Sequence, residues 1–435
     1  MIADWMTDRL RFLVGLVFVA VGAAAFAIAF RSSLAWLYRA LFAADDVVDA
    51  VRRLPQWMRF ALPVCGATAA GVIAFFRSAP AQGVSNVMEA VALGNVRLSL
   101  RTTVSRVLAS WAAIAAGMSI GREGPLIEFG GSLGAALSRV LGVSLDRTRV
   151  LVAAGTAAGF AAAYNTPFAA VLFVLETIIG IAALDALLPT MAATVIATAL
   201  TRAVVGGGPI YGQRAFVLQS AADLVWFGTL GLAAAFAAAC FKGLLSQFEQ
   251  ALHRHPLPQP GRAALGGVLV GAIAIWIPEV AGNGYEPLNA LLNQQLAIGV
   301  LIVLIIAKVV ATSASVASGV PGGIFTAVLL VGGALGTLWA HALVWFGLST
   351  AANTGSYALV GMAATTAASI HAPLTAAVLV FELSGDYPIV LPLLIATVVS
   401  TSVSRGLGTE SVYEAELRRK GLGWELTLEG RQLTK

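Results

Sequence analysis

Glu123 is the residue best placed for chemistry, because it lies in the segment Gly121-Arg122-Glu123-Gly124-Pro125 directly before an apolar run. Proline suits the first turn of a helix, where its missing N–H is not needed. We therefore expect a helix to begin near Gly124, with free N–H groups that point back toward Glu123. A helix N-terminus carries about half a positive charge and is a natural site for an anion or a carboxylate.

A second segment of the same kind, SGVPGGIF at 318–325, precedes another apolar run. Its three glycines leave the backbone bare, so an ion can approach the N–H groups closely. A charge at the membrane centre costs roughly 2.5–3.5 kcal/mol or more, whereas one helix end returns only about 0.3–2 kcal/mol. Several helix ends must therefore converge on a bound ion. Taken alone, either glycine-rich segment is explained equally well as a helix-packing surface of small residues.

An internal repeat relates the two segments. Gly155–Glu176 and Gly361–Glu382 both begin with Gly and end with Glu, and Pro167 and Pro373 follow after the same interval. Chance similarity between Ala- and Gly-rich helices does not explain matching positions in the same order. Two halves of roughly 200 residues are typical of a transporter built from structural repeats.

The repeat continues upstream of these matches. Residues 121–134 align with 323–336, and residues 83–91 align more weakly with 283–291. Glu123 and Phe325 then hold equivalent positions, so the two segments are expected to face one another across a pseudo-symmetry axis. Paired helix breaks at corresponding places of two halves point to a binding site.

The composition indicates an integral, multi-pass membrane protein. Hydrophobic residues make up 58% of the chain and charged residues 11%, whereas a soluble domain has roughly 25% charged residues. Apolar runs of spanning length, about 20 residues, recur from residues 12–30 onward, and this first run is too long for a cleaved signal peptide. The expected location is therefore a lipid bilayer. Broken helices at membrane depth must face protein or a water-filled cavity.

Charge and cysteine content exclude several classes of function. The net charge is +5, and there is no basic domain that could bind nucleic acid. Clustered basic residues are typical of cytoplasmic loops, and here they are Arg52, Arg53, Arg254, Arg262, Arg418, Arg419 and Lys420. Cys65 and Cys240 lie in apolar runs, and we expect small core residues there, with neither a disulfide framework nor a metal site.

These patterns predict an all-α membrane protein made of two repeats of tilted and broken transmembrane helices. The predicted organisation is an N-terminal half at residues 1–245, a polar connector at 246–262, a C-terminal half at 263–405 and a cytoplasmic tail at 406–435. The connector is assigned from its histidines, arginine and three prolines.

The motifs GREGP and GVPGGIF, together with the repeated half, resemble the CLC family of chloride channels and chloride/proton antiporters. The resemblance covers nearly the whole chain and is to the prokaryotic type without a C-terminal regulatory domain. It implies inverted topology of the two halves and a homodimer with one pore in each subunit. It also implies chloride as the transported ligand, protons as a second ligand in the antiporters, and no cofactor.

The resemblance also implies roles for individual residues. Glu123 matches the gate that competes with anions and takes up protons. The amides that bind anions are implied around Gly121, Arg122, Gly124, Ile324 and Phe325, and Ala327 stands where the family motif has proline. The tyrosine hydroxyl of the central anion site matches Tyr413, which by itself is explained equally well as an interfacial anchor.

Two departures from the family pattern leave the ion specificity and the coupling open. Where the family supplies a serine to the central anion, Gln82 takes its place and Ser85 is the nearest hydroxyl. Both can donate a hydrogen bond, and fluoride or nitrate is an alternative to chloride. Many antiporters of the family carry a proton-transferring glutamate after another Glu, whereas Thr177 follows Glu176 here. Channel and antiporter are therefore both possible.

Two other functions are alternatives to anion transport. A cation-coupled transporter of an organic solute would require acidic or carbonyl-rich ion sites. An intramembrane enzyme would require a paired nucleophile and base at membrane depth. His371 has no evident Ser or Asp partner and is expected to be structural. Of the remaining carboxylates, Glu382 is expected to lie at a helix end. Glu128, five residues after Glu123, can face the same cavity, and its role is open.

Overall fold

The computed structural model describes residues 2–76, 83–93, 98–179, 184–208, 210–212, 223–254, 256–348, 353–427 and 430–434. The helices of the first part are α1 Ile2–Phe42, α2 Val47–Arg53, α3 Gln56–Phe75, α4 Val84–Leu93, α5 Leu100–Ala115, α6 Glu123–Leu141, α7 Leu145–Tyr164, α8 Pro167–Phe173 and α9 Leu184–Val205. A π-helical turn, Val174–Ile179, extends α8.

The second part of the chain repeats this series of helices. They are α10 Asp223–His253, α11 Gln259–Trp276, α12 Tyr285–Leu292, α13 Ile298–Ala317, α14 Phe325–Trp345, α15 Thr354–Ile370, α16 Pro373–Ser384, α17 Val390–Gly406 and α18 Val412–Arg419. The chain ends in a hairpin of β1 Gly423–Thr427 and β2 Gly430–Thr434, which pair antiparallel.

Seven helical segments among the described residues are long and apolar enough to cross a membrane, and they contain α1, α3, α9, α10, α13, α14 and α17. The helices α4, α8, α12 and α16 have only 7 to 12 residues, and such lengths do not span about 30 Å of hydrocarbon. Their ends must therefore lie inside the protein. The predicted fold of broken transmembrane helices in two inverted repeats is confirmed, with the terminal hairpin as the added β element.

Glycines draw the helices of each half together in the same way. A Cβ on Gly155 in α7 would lie 2.2 Å from the carbonyl oxygen of Gly130 in α6, and a Cβ on Gly361 in α15 would lie 2.2 Å from that of Gly332 in α14. These are the positions that the internal repeat equates. Small residues allow such close helix packing in a membrane, where no hydrophobic effect drives helices together.

The packing of α10 resembles that of α1. α1 packs against α7 and α9, and α10 packs against their repeat partners α15 and α17. We therefore propose that the second half begins with α10, earlier than the boundary predicted after residue 245. The predicted connector is largely helical as well, since α10 continues to His253 and α11 begins at Gln259.

Both cysteines lie on the outer surface of the helices and not in the core, so the prediction for Cys65 and Cys240 is wrong. The physical reason is that the surface of a membrane protein faces lipid. An apolar run therefore does not distinguish a lipid-facing position from a buried one.

Candidate anion pathway

Two helix N-termini form the centre of the candidate site. α6 begins at Glu123 with Arg122 as its N-cap, and α14 begins at Phe325 with Ile324 as its N-cap. Neither N-cap side chain accepts a hydrogen bond from its helix. The first-turn amides of both helices therefore lack the side-chain oxygen that usually satisfies them, and an anion can take its place.

A two-residue bridge joins these N-termini. The N–H of Gly121 donates to the carbonyl oxygen of Gly323 at 2.7 Å, and the N–H of Gly323 donates to that of Gly121 at 2.8 Å. Gly124 lies against the same strand-like segment, because a Cβ on Gly124 would be 3.4 Å from the nitrogen of Gly323. The predicted convergence of the two segments is thus present as an antiparallel backbone pair.

A cavity of about 780 Å³ reaches this junction. We call it the inner cavity. Its innermost wall carries Glu123, Gly124, Gly323, Ile324, Phe325 and Tyr413, and its mouth carries Arg262, Glu416, Arg419 and Lys420. The mouth lies at the first turn of α11 and at the tail, where the basic residues predict the cytoplasmic side.

Glu123 lies at the inner end of this cavity and is only 2% exposed. Its Oε1 accepts hydrogen bonds from Oγ1 of Thr326 at 2.6 Å and from Nδ2 of Asn283 at 3.2 Å. Its Oε2 has no hydrogen-bond partner among the described residues. The carboxylate is therefore held by one oxygen, and the other oxygen faces Gly121, whose Cβ, if present, would lie 1.9 Å away.

Residues from distant parts of the chain position the partners of Glu123. The hydroxyl of Tyr164 lies 3.0 Å from that of Thr326, so Tyr164 can orient the hydroxyl that donates to Glu123. The buried ammonium of Lys308 donates to the carbonyl oxygens of Val280 and Gly282 at 2.9 and 2.8 Å. These bonds fix the loop that presents Asn283.

Thr326, Asn283 and Tyr164 were not predicted from the sequence. Thr326 had a detectable signal, because it follows Phe325 in the first turn of the helix that faces Glu123. Asn283 lies 160 residues from Glu123 in the chain, and no local pattern connects the two.

An aromatic cluster closes the inner cavity below the helix ends. Phe325 is 5% exposed and packs edge-on against Phe160, with ring centroids 5.6 Å apart. Phe160 stacks on Phe173 at 4.8 Å, and Phe173 meets Tyr413 edge-on at 6.0 Å. Tyr413 therefore lies on the wall of the inner cavity with Phe325, although 88 residues separate them in the sequence.

Tyr413 is placed by the way α18 is anchored. Ser411 and Glu414 form a capping box at the start of α18. Nδ1 of His371 lies 3.6 Å from a carboxylate oxygen of Glu414, and Nζ of Lys242 donates to the carbonyl oxygen of Glu410 at 2.9 Å. His371 thus supports the tail, in keeping with the structural role expected for it.

The two residues predicted to replace the missing serine differ in outcome. Gln82 lies outside the described residues. Ser85 is fully buried in the first turn of α4, and its hydroxyl oxygen accepts a hydrogen bond from Nζ of Lys420 at 3.0 Å. Among the described residues, Gly83 and Val84 line the cavity at this place. Ser85 is therefore engaged by the tail.

Glu176 and Glu382 each cap a helix in the opposite half of the protein. The carboxylate of Glu176 accepts from the N–H groups of Leu374 and Thr375 at 3.1 and 2.6 Å, at the start of α16. The carboxylate of Glu382 accepts from the N–H groups of Phe168 and Ala169 at 3.2 and 2.8 Å, at the start of α8. The charge of Glu176 thus stabilises the N-terminus of α16, which carries Glu382, and the charge of Glu382 stabilises the N-terminus of α8, which leads to Glu176.

Glu128 lines the inner cavity and is 2% exposed. Its carboxylate lies 3.4 Å from Nε of Arg106 and 3.4 Å from the hydroxyl of Thr103. Both contacts are at the long end of the hydrogen-bond range. Among the described residues no group of three or more His, Cys, Asp and Glu side chains could hold a metal ion.

Comparison with known proteins identifies similar chains along most of the sequence. The sequence model of the family described as "Voltage gated chloride channel" matches residues 65–405. A ClcB-like chloride channel protein of Ralstonia nicotianae is 38% identical over 402 residues, which cover 90% of this chain and 93% of the relative. The voltage-gated ClC-type chloride channel ClcB of Escherichia coli is 30% identical over 402 residues, covering 90% and 95%.

A solved structure has the same fold. The crystal structure of a slow cyanobacterial Cl⁻/H⁺ antiporter superimposes with a TM-score of 0.85 and covers 94% of this chain and 98% of the antiporter chain. The two sequences are 23% identical, so this likeness concerns the fold alone.

Proposed function

Because this chain belongs to the CLC family of voltage-gated chloride channels, we propose that it carries chloride across the membrane through the inner cavity. The observation that supports this path most directly is the convergence of two uncapped helix N-termini at the end of that cavity. Partial positive charge from two helices, together with bare glycine amides, stabilises a small anion without a basic side chain in contact with it.

Glu123 is the gate in this proposal. Its carboxylate occupies the junction of the two helices, where an anion would be bound. A carboxylate and a chloride ion have the same charge, so they compete for the same amides. Protonation of Glu123 weakens its hold on donors that prefer a negative charge, and the side chain can then leave the path.

Bound anions interact with amides of Gly124, Ile324 and Phe325 in this proposal, and Tyr413 borders the path on the cytoplasmic side. The N–H of Gly121, which the resemblance also implied as a donor, is already paired with the carbonyl oxygen of Gly323. Arg122 contributes as the N-cap residue of α6, whose side chain leaves the first-turn amides without a capping bond. Ser85 accepts a hydrogen bond from Lys420, and among the described residues its side chain does not line the inner cavity. The choice among chloride, fluoride and nitrate therefore rests on the amides of α6 and α14.

Relatives with this fold are described both as channels and as a proton antiporter. In this chain Thr177 cannot ionise, and Glu176 is committed to the start of α16. Neither residue therefore supplies a free carboxylate for protons. We propose a gated chloride pathway with no enzymatic reaction, in which proton coupling, where present, uses another route.

We further propose that the protein is a homodimer. An apolar groove of about 430 Å³ is lined by α8 and α9 of the first half and by α16 and α17 of the second. α8 is the repeat partner of α16, and α9 is that of α17, so both halves contribute equivalent helices to the groove. We propose that the second subunit packs against this groove. Chemical cross-linking of purified protein in liposomes should yield a dimer, and Leu394→Trp in the groove should weaken it.

Reconstituted liposomes provide the test of transport. With a potassium ionophore to clamp the voltage, vesicles that contain the protein should release chloride faster than empty vesicles. Bromide, nitrate and fluoride are measured in parallel, and proton uptake is recorded in the same vesicles. Uphill proton movement driven by a chloride gradient identifies an antiporter, whereas chloride flux without it identifies a channel. Release of none of these anions overturns the proposal.

A further inference from the structure

Glu128 is a second buried carboxylate on the wall of the inner cavity, and the proposed gating by Glu123 does not use it. The two residues lie on the same helix five positions apart, which is about 7–8 Å along the axis. Glu128 is therefore close to the path but displaced toward the cytoplasmic mouth. Its side chain is only 3% exposed, and it borders the inner cavity, through which solvent can reach it.

The partners of Glu128 bind it loosely. Arg106 on α5 and Thr103 on the same helix both lie 3.4 Å from the carboxylate, and the Thr103 hydroxyl has a shorter contact of 2.7 Å with Ser132. A carboxylate can accept about four hydrogen bonds. Two long contacts leave most of this capacity unused, so cavity water or a proton can reach the group.

Charged groups face Glu128 from the other elements around the cavity. Glu416 and Lys420 project from α18, and both line the cavity. Lys420 also lies 3.9 Å from Glu89 on α4. Among the described residues the inner cavity thus carries the cations Arg106, Arg262, Arg419 and Lys420. Of the carboxylates that line it, Glu128 shares helix α6 with Glu123.

We propose that Glu128 is an inner proton-binding residue of the pathway, which exchanges protons with cytoplasmic-side water and controls the rate at which anions reach Glu123. This inference rests on the proposed transport function. Ionised Glu128 neutralises Arg106 and repels anions that enter the cavity. Protonated Glu128 leaves Arg106 free to attract them. A proton on Glu128 also lies between the mouth and Glu123. Glu128 can therefore carry protons on the cytoplasmic side of the gate, where Thr177 cannot because it does not ionise.

The step requires no further reactant. A hydronium ion from the cavity transfers its proton to the Glu128 carboxylate, and water is left behind. Since charges within about a Debye length interact, the change in charge acts on anions in the inner cavity. Anion flux is expected to rise several-fold as the pH falls through the titration of Glu128.

The test compares the pH profile of chloride efflux in wild type, Glu123→Gln, Glu128→Gln and the double variant. Wild type should show two pH-dependent steps, and each single variant should lose one of them. Glu128→Gln should also raise flux several-fold at neutral pH, and the double variant should be independent of pH. Glu128→Asp keeps a titratable group and should retain the second step. It also shows whether loss of the step in Glu128→Gln reflects misfolding.

Glu89→Gln is the matched control, because Glu89 belongs to the same charged set but does not line the cavity among the described residues. Its profile should match wild type. The inference is overturned if Glu128→Gln transports chloride with the wild-type pH profile, or if Glu123→Gln alone removes all pH dependence. Absence of anion flux in wild type instead overturns the transport proposal and this inference with it.

Discussion

Gly121 and Gly323 exchange both of their backbone hydrogen bonds, at 2.7 and 2.8 Å, although 202 positions separate them in the chain. The internal repeat equates the same two residues. A residue and its repeat partner can pair with each other only where the pseudo-symmetry axis passes between them. The axis of the molecule therefore runs through the junction of α6 and α14, and Glu123 lies beside it.

This relationship predicts the effect of adding a methyl group at the axis. In Gly121→Ala, the Cβ would lie 1.9 Å from Oε2 of Glu123 and 3.0 Å from the carbonyl oxygen of Gly323. The flexible Glu123 side chain must move away, so chloride flux at neutral pH should rise. The crowding should cost about 1–3 kcal/mol. Flux and thermal stability are measured together, with Gly243→Ala as the control, since a Cβ there meets nothing within 4 Å. Unchanged flux in a folded Gly121→Ala protein contradicts the gate position.

Glu123→Gln tests the gate directly. The substitution removes the charge and keeps the size of the side chain. Chloride flux should persist, while its pH dependence should lose the step that belongs to Glu123 and any uphill proton movement should stop. The measurement is efflux from liposomes between pH 4 and 8. Glu279→Gln is a control, because Glu279 pairs with Arg52 and does not line the inner cavity among the described residues. A variant that keeps both the wild-type flux and the full pH dependence would assign Glu123 a structural role.

Phe325 and Tyr413 border the inner end of the path, and shortening them should widen it. The double variant Phe325→Ala, Tyr413→Ala should increase chloride flux several-fold and weaken any proton coupling. Phe173→Leu serves as a control for disturbance of the aromatic cluster, because Phe173 contacts Tyr413 but does not line the cavity among the described residues. Wild-type flux in a well-folded double variant would make Tyr413 an interfacial anchor.

The reciprocal caps of Glu176 and Glu382 predict a paired effect on stability. Each carboxylate satisfies two N–H groups at a helix start, and loss of such a cap typically costs about 1 kcal/mol. Glu176→Ala should be more destabilising than Glu382→Ala, because Glu176 also accepts from the hydroxyl of Thr375. Thermal unfolding in detergent measures both, and Glu410→Ala at the surface is the control. Equal stability of all three variants would show that the caps contribute nothing.

Glu414 predicts an acid-sensitive tail. Burial acts to raise its pKa, but hydrogen bonds from the His371 side chain and the Ser411 backbone outweigh it and lower the pKa of Glu414 to about 2. A carboxyl whose folded pKa is depressed stabilises the fold above its unfolded pKa, and this stability is lost as the pH falls toward the folded pKa. The docking of α18 should therefore weaken between about pH 4.5 and 2. Protease sensitivity of the tail measures it.

Glu414→Gln should weaken the tail at pH 7 by about 1–2 kcal/mol and should flatten this acid dependence. Glu249→Gln is a control, since it removes a different contact of the tail, the ion pair with Arg419. An identical acid profile in wild type and Glu414→Gln would show that another group controls the tail.

The sequence alone was sufficient for the membrane class, the repeat and the helix start at Glu123. Composition excludes a water-facing surface, because too few charges are present to cover one. The repeat predicted that the segments around Glu123 and Phe325 would converge, and Pro and Gly predicted where the helices break. These signals are local or periodic, so a single sequence is enough to detect them. The same apolar composition gave the wrong prediction for Cys65 and Cys240, because lipid-facing and buried positions have similar residues.

Tertiary structure alone decided which residues hydrogen-bond to Glu123 and which surround it. Asn283 and Thr326 donate to Glu123 from separate elements, and Tyr164 contacts Thr326 from a third. Lys308 places Asn283 through backbone carbonyls. Ser85 is engaged by Lys420 from the far end of the chain. Such contacts depend on how tilted helices pack, and helix packing is set by close approach of whole surfaces. A residue type at one position carries no record of its partner 160 to 335 residues away, so these contacts follow only from the fold.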